Sequence, residues 1–323
     1  MFRTPAIFVA ASLLFAHFAP AATAAAYPSK PVRMIVPMAP GGGTDIMARL
    51  VATNLSERLG HQLVVENIAG GGGVIATERA AKAERDGYTL LFTMATHSTL
   101  AALQKLPYDP LQSFTPVARA ATGYYSLCVN PSLPVKSVKE LIALSKQKPN
   151  QLIFASAGIG TQGHMGTELF KMMAGIDFKI VQFKSGGPAT IDVLGGHSHA
   201  ILVGLTTTLP HIKSGKLRVL ATGGPDRGVA LPDVPTISES GLPGYNITQW
   251  FGILAPAGIP AAVVDRLNYE IKAIGALDEV KKRFLSDGAG VDFLGAAEFG
   301  PFIAEDIAKY TNIATKANIK LEK

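Results

Sequence analysis

The sequence predicts an α/β fold with helices on both faces of mostly parallel sheets. Short apolar runs of strand length alternate with segments whose apolar residues recur at helical spacing, and glycine-rich turns join the two. The run Val32 to Val36 predicts a buried strand, and the apolar residues between 46 and 55 follow the helical period. A chain of 323 residues is long enough for about two such domains.

The same alternation continues to the end of the chain. Ser137 and Glu140 have the spacing of a capping box and predict the start of a helix that ends near 148. The tail from 260 to 319 predicts three helices. The other predicted strands are 62–66, 88–93, 152–156, 178–183, 200–203 and 217–221, and the other predicted helices are 74–83, 164–174 and the segment from the turn at 185–188 to 195.

Composition excludes several classes of protein. Hydrophobic residues make up 48% of the chain and charged residues 17%, which is typical of a globular protein. The single cysteine, Cys128, excludes an intramolecular disulfide, a cysteine zinc site and an iron–sulfur cluster. The net charge of +6 is modest and lacks a basic stripe interleaved with aromatic residues, so it favours a small anionic ligand over nucleic acid.

The first 26 residues predict an export signal. Arg3 is followed by an apolar run over 6–19 and by small residues over 21–26, which is the order of a secretory signal peptide with a cleavage site. Cleavage before Tyr27 would release a protein that works outside the cytoplasm. A retained membrane anchor is the alternative, although the apolar run is short for a membrane span.

Glycine-rich turns precede four of the helices, at 41–45, 70–73, 157–164 and 185–189. Ligands of open α/β sheets bind beyond the carboxyl ends of the strands, where these turns lie. A helix N-terminus there offers unpaired N–H groups and a partial positive charge, which suit a carboxylate or phosphate. The four turns therefore predict an anion site; the alternative is that the glycines serve turn geometry alone.

Motifs for catalysis or cofactor binding are weak. The run 158–163 matches G-x-G-x-x-G, but the next strand ends in Phe183-Lys184 instead of the acid that would bind a ribose. His197 and His199 have no third metal ligand nearby in sequence, and the chain has no G-x-S-x-G elbow. We therefore expect no metal and no cofactor, and an esterase or dehydrogenase is the less favoured class.

A set of motifs in order along the chain gives a family resemblance. They are YPSKPVR (27–33), IVP (35–37), PGGGTD (40–45), VEN (65–67), DGYTLL (86–91), LPYDP (106–110), FTPVA (114–118), NPSLPVKS (130–137), ASAG (155–158), LPHIKSGKLR (209–218), LPDVPT (231–236), GLPGY (241–245) and LAPAG (254–258). The chain thus resembles the Bug (TctC-like) family, the extracytoplasmic solute receptors of tripartite tricarboxylate transporters. The match spans nearly the whole predicted mature chain.

The resemblance implies a periplasmic-binding-protein fold, type II-like, with two α/β domains, a ligand cleft between them and two crossovers. Domain 1 is expected at 27–126 plus 251–323, and domain 2 at 127–250. The segments 122–125 and 246–251 suit extended crossovers. Closure around the ligand would be a hinge motion.

The resemblance also implies a monomeric, non-catalytic receptor that is exported to the periplasm and binds a small carboxylate, with no role for nucleic acid. Its partner would be the membrane subunits of a tripartite transporter or, alternatively, a sensor protein. The ligand-binding residues that it implies are Pro40, Gly41, Gly42, Gly43, Thr44, Asp45, Gly72, Gly73, Thr96, His97, Ser98, Ser156, Ala157, Gly158, Thr161, His164, Lys184, Ser185, Gly186, Gly187, Pro188 and Gly204.

Local structural roles compete with ligand binding at several of these positions. Thr44 and Asp45 could cap a helix, Lys184 could be a solvated lysine at a strand end, and His164 could bond its own turn.

The chain departs from the family pattern at the expected pocket. Ile68-Ala69 stands where many members have Arg-Pro, Val74 stands where an Asn is frequent, and Val203-Gly204 stands where Phe-Asp is usual. An acid at 204 could pair with a ligand ammonium group, and the glycine removes it. The sequence therefore favours a plain carboxylate, with apolar or aromatic bulk, over an amino acid.

Overall fold

The computed structural model describes residues 27–41 and 43–319. The predicted signal peptide lies outside the described residues, as does Gly42. The strands are β1 Val32–Val36, β2 Leu63–Asn67, β3 Thr89–Met94, β4 Phe114–Val129, β5 Ile153–Ser156, β6 Lys179–Gln182, β7 Ala200–Gly204, β8 Arg218–Thr222, β9 Thr248–Pro256 and β10 Ala289–Gly295. The α-helices are α1 Gly43–Leu59, α2 Val74–Ala81, α3 Thr96–Leu103, α4 Val138–Gln147, α5 Gln162–Ala174, α6 Gly186–Leu194, α7 Leu205–Lys213, α8 Ala261–Ala276, α9 Asp278–Ser286 and α10 Ala296–Lys316.

Each strand and helix predicted from the sequence is present within a few residues of its predicted bounds. The capping box at α4 is confirmed in part: the Ser137 hydroxyl accepts from the Glu140 N–H at 3.2 Å, but Glu140 accepts from the N–H of Lys136 instead of Ser137. The structure also contains elements that were not predicted from the sequence, namely α3, α7 and the full length of β4 and β9. It also places a strand, β10, between the second and third helices of the tail, where only helices were predicted.

The prediction of mostly parallel sheets is wrong at the centre of the molecule. The strands form one sheet in the order β2-β1-β3-β9-β4-β7-β5-β6, with β8 and β10 also paired to β4. Parallel pairing holds in the two arms, between β1 and its neighbours and between β5 and its neighbours. Every pairing of β4 and β9 is antiparallel, because these strands connect the arms and belong to no β-α-β unit.

β4 ties the two arms together. Its residues 114–124 pair with β9, and its residues 125–129 pair with β7. We call the part built on β1–β3, β9 and β10 the first half and the part built on β5–β8 the second half. The predicted crossovers at 122–125 and 246–251 lie where β4 and β9 pass between the halves. The domain boundaries themselves stay a prediction.

Each half has its own core, and α10 contributes to both. Met34, Met47 and Leu267 belong to the main core of the first half, while Phe154 and Met165 belong to that of the second. The start of α10 buries Phe299 and Ile303 against the first half, whereas its end buries Tyr310, Ile313 and Ala314 in the second. In the part of the chain that the structure describes, no helix is long and apolar enough to cross a membrane.

The contact of α10 with the second half generates a stability prediction. The Gln162 amide donates to the Tyr310 hydroxyl at 2.7 Å and to the Thr248 carbonyl at 2.9 Å, and Tyr310 is fully buried. Tyr310→Phe would leave one amide N–H unpaired, so we expect a loss of about 1–2 kcal/mol in the free energy of unfolding, measured by urea denaturation. Tyr269→Phe is the control because Tyr269 is 66% exposed. Equal stability of the two variants would contradict a role for this bond.

Candidate ligand-binding site

A cavity of about 610 Å³ lies between the two halves. Both halves supply its walls, the first half in part through the strand β9. Its lining residues are Met38, Ala39, Pro40, Gly41, Thr44, Met94, Ser185, Gly186, Gly204, Thr206, Thr207, Gln249 and Phe251. None of these described residues carries a charged side chain, so the polar groups that face the cavity are hydroxyls, a carboxamide and backbone.

Three helices begin at this cavity. The first residues of α1 follow Pro40 and Gly41, α6 begins at Gly186, and α7 begins directly after Gly204. The first N–H groups of a helix have no partner within the helix and carry a partial positive charge. Convergence of three such ends on one uncharged cavity makes it favourable for an anion.

The helix caps distinguish the cavity from the rest of the second half. Ser185 before α6 makes no side-chain cap hydrogen bond, and Gly204 before α7 has no side chain that could make one. In contrast, Ser137 caps α4 and Thr161 caps α5, each by accepting from a backbone N–H of the first turn. The N–H groups at the starts of α6 and α7 therefore have no side-chain cap, and a ligand can bind them.

Asp45 organises the first loop from behind the cavity. Its side chain is buried and accepts from the Gly41 N–H at 2.8 Å, from Arg49 Nε at 3.0 Å and from Asn67 Nδ2 at 2.8 Å. Asn67 also donates to the Met38 carbonyl at 3.0 Å. This network holds both ends of the loop from Met38 to Gly41. The Asp45 carboxylate is thus occupied by the protein and does not line the cavity.

Met94 belongs to a row of contacting residues that we call the cavity floor: Thr44, Met94, Gln249 and Gly204. The Thr44 hydroxyl donates to Met94 Sδ at 2.9 Å, and the Gln249 amide approaches the same sulfur at 3.8 Å. The main chain of Gly204 is close to the far end of Gln249, since an ideal Cβ on Gly204 would lie 3.3 Å from Gln249 Oε1. A row of contacts therefore crosses the floor from the first half to the second.

The structure brings seven of the predicted site residues to the cavity or to its rim. Pro40, Gly41, Thr44, Ser185, Gly186 and Gly204 line it, and Gly43 begins α1 beside them. Gly42 is outside the described residues. Lys184, Gly187 and Pro188 flank the lining residues and are exposed. Of the four glycine turns, the first and the fourth thus reach the cavity.

The predicted site residues of the turn 70–73 and of the segment 96–98 do not line the cavity. Gly73 packs on the end of β1, where an ideal Cβ would lie 3.0 Å from the Pro37 side chain. His97 is buried, with Nε2 2.8 Å from the Pro110 carbonyl, and its ring contacts Phe114 edge-on. Burial lowers the pKa of His97 and so favours the neutral form of its ring. The predicted residues that share these two loops but are absent from the lining are Gly72, Thr96 and Ser98.

The turn before α5 is also occupied by its own hydrogen bonds. The Thr161 hydroxyl donates to the Gly158 carbonyl at 2.8 Å, and His164 Nδ1 accepts from the Gly160 N–H at 3.3 Å. The alternative that His164 bonds its own turn is therefore confirmed. Burial, with a smaller contribution from Lys171, lowers the pKa of His164 to about 4. Ser156 is fully buried, and neither it nor Ala157 is in the cavity lining.

Sequence reasoning missed Met38, Ala39, Met94, Thr206, Thr207, Gln249 and Phe251. A signal was present for two of them, because Thr206 and Thr207 follow the strand-end Gly204 in the same way that Thr44 follows its glycines. Gln249 and Phe251 lie on a crossover strand, where no turn or glycine pattern marks them. Their place in the cavity depends on the pairing of β9 with β4.

Comparison with known proteins identifies the family. The model for the tripartite tricarboxylate transporter family receptor (TctC) matches residues 47–319. The chain belongs to this receptor family. A curated relative, the protein BugT of Bordetella pertussis, is 36% identical over 299 residues, which cover 92% of each chain. The resemblance found in the sequence is thereby confirmed.

Solved structures confirm the fold of the receptor. The structure of Rpa4515 from R. palustris with adipate superposes with a TM-score of 0.82 at 34% identity, and the superposition covers 91% of this chain and 99% of the other. The periplasmic binding protein BugD superposes with a TM-score of 0.78 at 32% identity and covers 92% and 100%. The receptor therefore has the periplasmic-binding-protein fold that the resemblance implied.

The network at the first loop of the receptor predicts acid sensitivity. Burial alone would raise the pKa of Asp45, but hydrogen bonds from Arg49, Gly41 and Asn67 outweigh it and lower the pKa. The carboxylate then stabilises the folded state above its unfolded pKa of about 3.9, and this contribution is lost as the pH falls through the lower folded pKa. Asp45→Asn should therefore unfold more easily by about 2 kcal/mol at pH 7 and by less at pH 3, where the difference begins to decline.

Urea denaturation of the wild type and the variant at both pH values measures this difference. Asp233→Asn, at an exposed position, is the control for the loss of one negative charge. A gap between Asp45→Asn and the wild type that is the same at pH 3 and pH 7 would contradict the assignment, because it would not depend on the Asp45 charge.

Proposed function

We propose that this receptor captures a small carboxylate in the periplasm, closes its two halves around it and delivers it unchanged to the membrane subunits of a tripartite transporter. The export of the chain by a cleaved signal over residues 1–26 is part of the proposal. So is the division into a first domain at 27–126 plus 251–323 and a second at 127–250.

The convergence of helix N-termini on one cavity carries this proposal. α6 and α7 begin at the cavity without side-chain caps, whereas α4 and α5 elsewhere in the same half are capped. Unpaired N–H groups are costly when a closed cleft excludes water, unless a ligand accepts from them. A carboxylate has the charge and the oxygen atoms to do so.

The architecture supports capture by closure. The cavity takes Pro40, Gly41 and Thr44 from the first half and Ser185, Gly186 and Thr207 from the second. The halves are joined by β4 and β9, so a change in the backbone angles of these strands would bring the walls together. One of the solved relatives is described with adipate, a linear dicarboxylate, and this supports a carboxylate as the ligand class.

The lining gives no support to catalysis. Its hydroxyls belong to Thr44, Ser185, Thr206 and Thr207, and no described residue of the lining is a histidine, lysine or carboxylate that could act as their base. The proposed role is therefore binding and release without chemical conversion.

A ligand screen tests the proposal. The protein is stripped of bound ligand, and its melting temperature is measured with mono-, di- and tricarboxylates, aromatic acids, amino acids and neutral amides. A carboxylate that binds the folded state should add about 2.7 kcal/mol of stability at a hundredfold excess over its Kd. Failure of every carboxylate to raise the melting temperature would contradict the proposal.

Two substitutions locate the binding. Thr44→Val and Thr207→Val each remove one hydroxyl from opposite walls of the cavity, and we expect each to weaken binding about tenfold in calorimetry. Thr53→Val, on an exposed site of the same helix as Thr44, should bind as the wild type does. Chromatography of the ligand after prolonged incubation should recover it unchanged.

A further inference from the structure

Gln249 lines the cavity between Met94 and Gly204, on a strand that joins the two halves. It is paired with Gly123 of β4 in the antiparallel register. An ideal Cβ on Gly123 would lie 3.3 Å from Gln249 Cβ, and one on Gly204 would lie 3.3 Å from Gln249 Oε1. The absence of side chains at these two neighbours leaves room for the carboxamide in the cavity.

The carboxamide of Gln249 is largely free to bind a ligand. Among the described residues its only hydrogen-bond partner is Met94 Sδ, at 3.8 Å from Nε2. A thioether sulfur is a weak acceptor, and this distance is long for a hydrogen bond. Met94 already accepts from the Thr44 hydroxyl at 2.9 Å. Gln249 therefore presents both a donor and an acceptor to the cavity.

Gln249 also stands between the two groups of helix N-termini. On one side Thr44 belongs to α1, and on the other side Gly204 precedes α7, which adjoins α6 through Thr207 and Gly186. A carboxylate held by the helix N-termini of one side would direct the rest of the ligand across the floor toward Gln249. Since the described lining has no acidic side chain, an ammonium group there would lose water without gaining a counter-charge.

We propose that Gln249 determines specificity in this cleft by binding a second oxygen-bearing group of the ligand, a second carboxylate or a hydroxyl, and that the cleft thereby discriminates against ligands that carry an ammonium group. The inference rests on the proposed carboxylate capture and names the residue that selects within that class. The amide donor suits a carboxylate or hydroxyl oxygen, and its carbonyl can accept from a hydroxyl.

Matched pairs of ligands test this role by calorimetry on the full-length protein. The probes are succinate with butyrate, adipate with hexanoate, and malate with aspartate, so that each pair differs at one group. The wild type should bind the dicarboxylate of a pair about tenfold or more tightly than the monocarboxylate, and malate more tightly than aspartate.

The variants separate Gln249 from a general effect on the cleft. Gln249→Ala should lose at least tenfold in affinity for the dicarboxylate and little for the monocarboxylate. Gln249→Glu should weaken binding of the dicarboxylate further, because the new negative charge repels the second carboxylate. It should also bring the affinity for aspartate closer to that for malate, because the new charge pairs with the ammonium group of aspartate. Gln182→Ala, at an exposed position on β6, should keep the wild-type preferences.

The outcomes distinguish this inference from the proposed function. If Gln249→Ala weakens both members of a pair equally, or neither, the specificity role is wrong while carboxylate capture stands. Preference of the wild type for aspartate over malate would also overturn it. If no carboxylate binds the wild type at all, capture itself fails and the inference fails with it.

Discussion

The antiparallel pairing of β4 with strands of both halves is the constraint on which the site depends. One end of this strand is bonded to β9 and β10, and the other end to β7 and β8. This backbone ladder places the pairing with β7 directly after the pairing with β9 along one strand, and so it brings the start of α7 close to Gln249. The loop after β1 and the turn after β6 then meet across one cavity. Two separate α/β sheets without the shared strand would not be brought together in this way.

Within this frame we attribute the proposed affinity for an anion mainly to backbone N–H groups, with a smaller contribution from lining hydroxyls, while Asp45 and Asn67 act as supports. Asp45 and Asn67 hold the first loop by hydrogen bonds to Gly41 and Met38, behind the cavity wall. Backbone donors fixed in this way lose little conformational entropy when they bind, unlike long charged side chains. This explains how a cavity without a charged side chain in its described lining can suit a charged ligand.

The sequence was informative wherever structure is local. The alternation of strand, glycine turn and helix predicted most elements and two of the loops that line the cavity, because such turns lie at the carboxyl ends of strands. It could not predict the antiparallel centre, since the pairing of Thr248–Pro256 with Phe114–Val129 joins residues more than a hundred positions apart. Sequence analysis missed Gln249 for the same reason.

His97 resembled a site residue in sequence, yet its ring packs in the core. Its contacts are with Pro110 and Phe114, which lie further along the chain, so its own neighbourhood in sequence does not reveal its burial.

The glycines of the loops divide into two kinds, and this division shows where specificity can change. Gly73 and Gly158 have φ of +106° and +128°, and an ideal Cβ on each would lie 3.0 Å and 3.2 Å from neighbouring atoms. Other residues there would strain the turns. Gly204 has φ of −53°, which any residue can adopt, and its nearest neighbour is the movable end of Gln249. A side chain at 204 would therefore enter the cavity without disturbing the start of α7. Substitutions at positions 204 and 249 should thus alter which ligand fits while the backbone that we propose to bind the carboxylate stays in place.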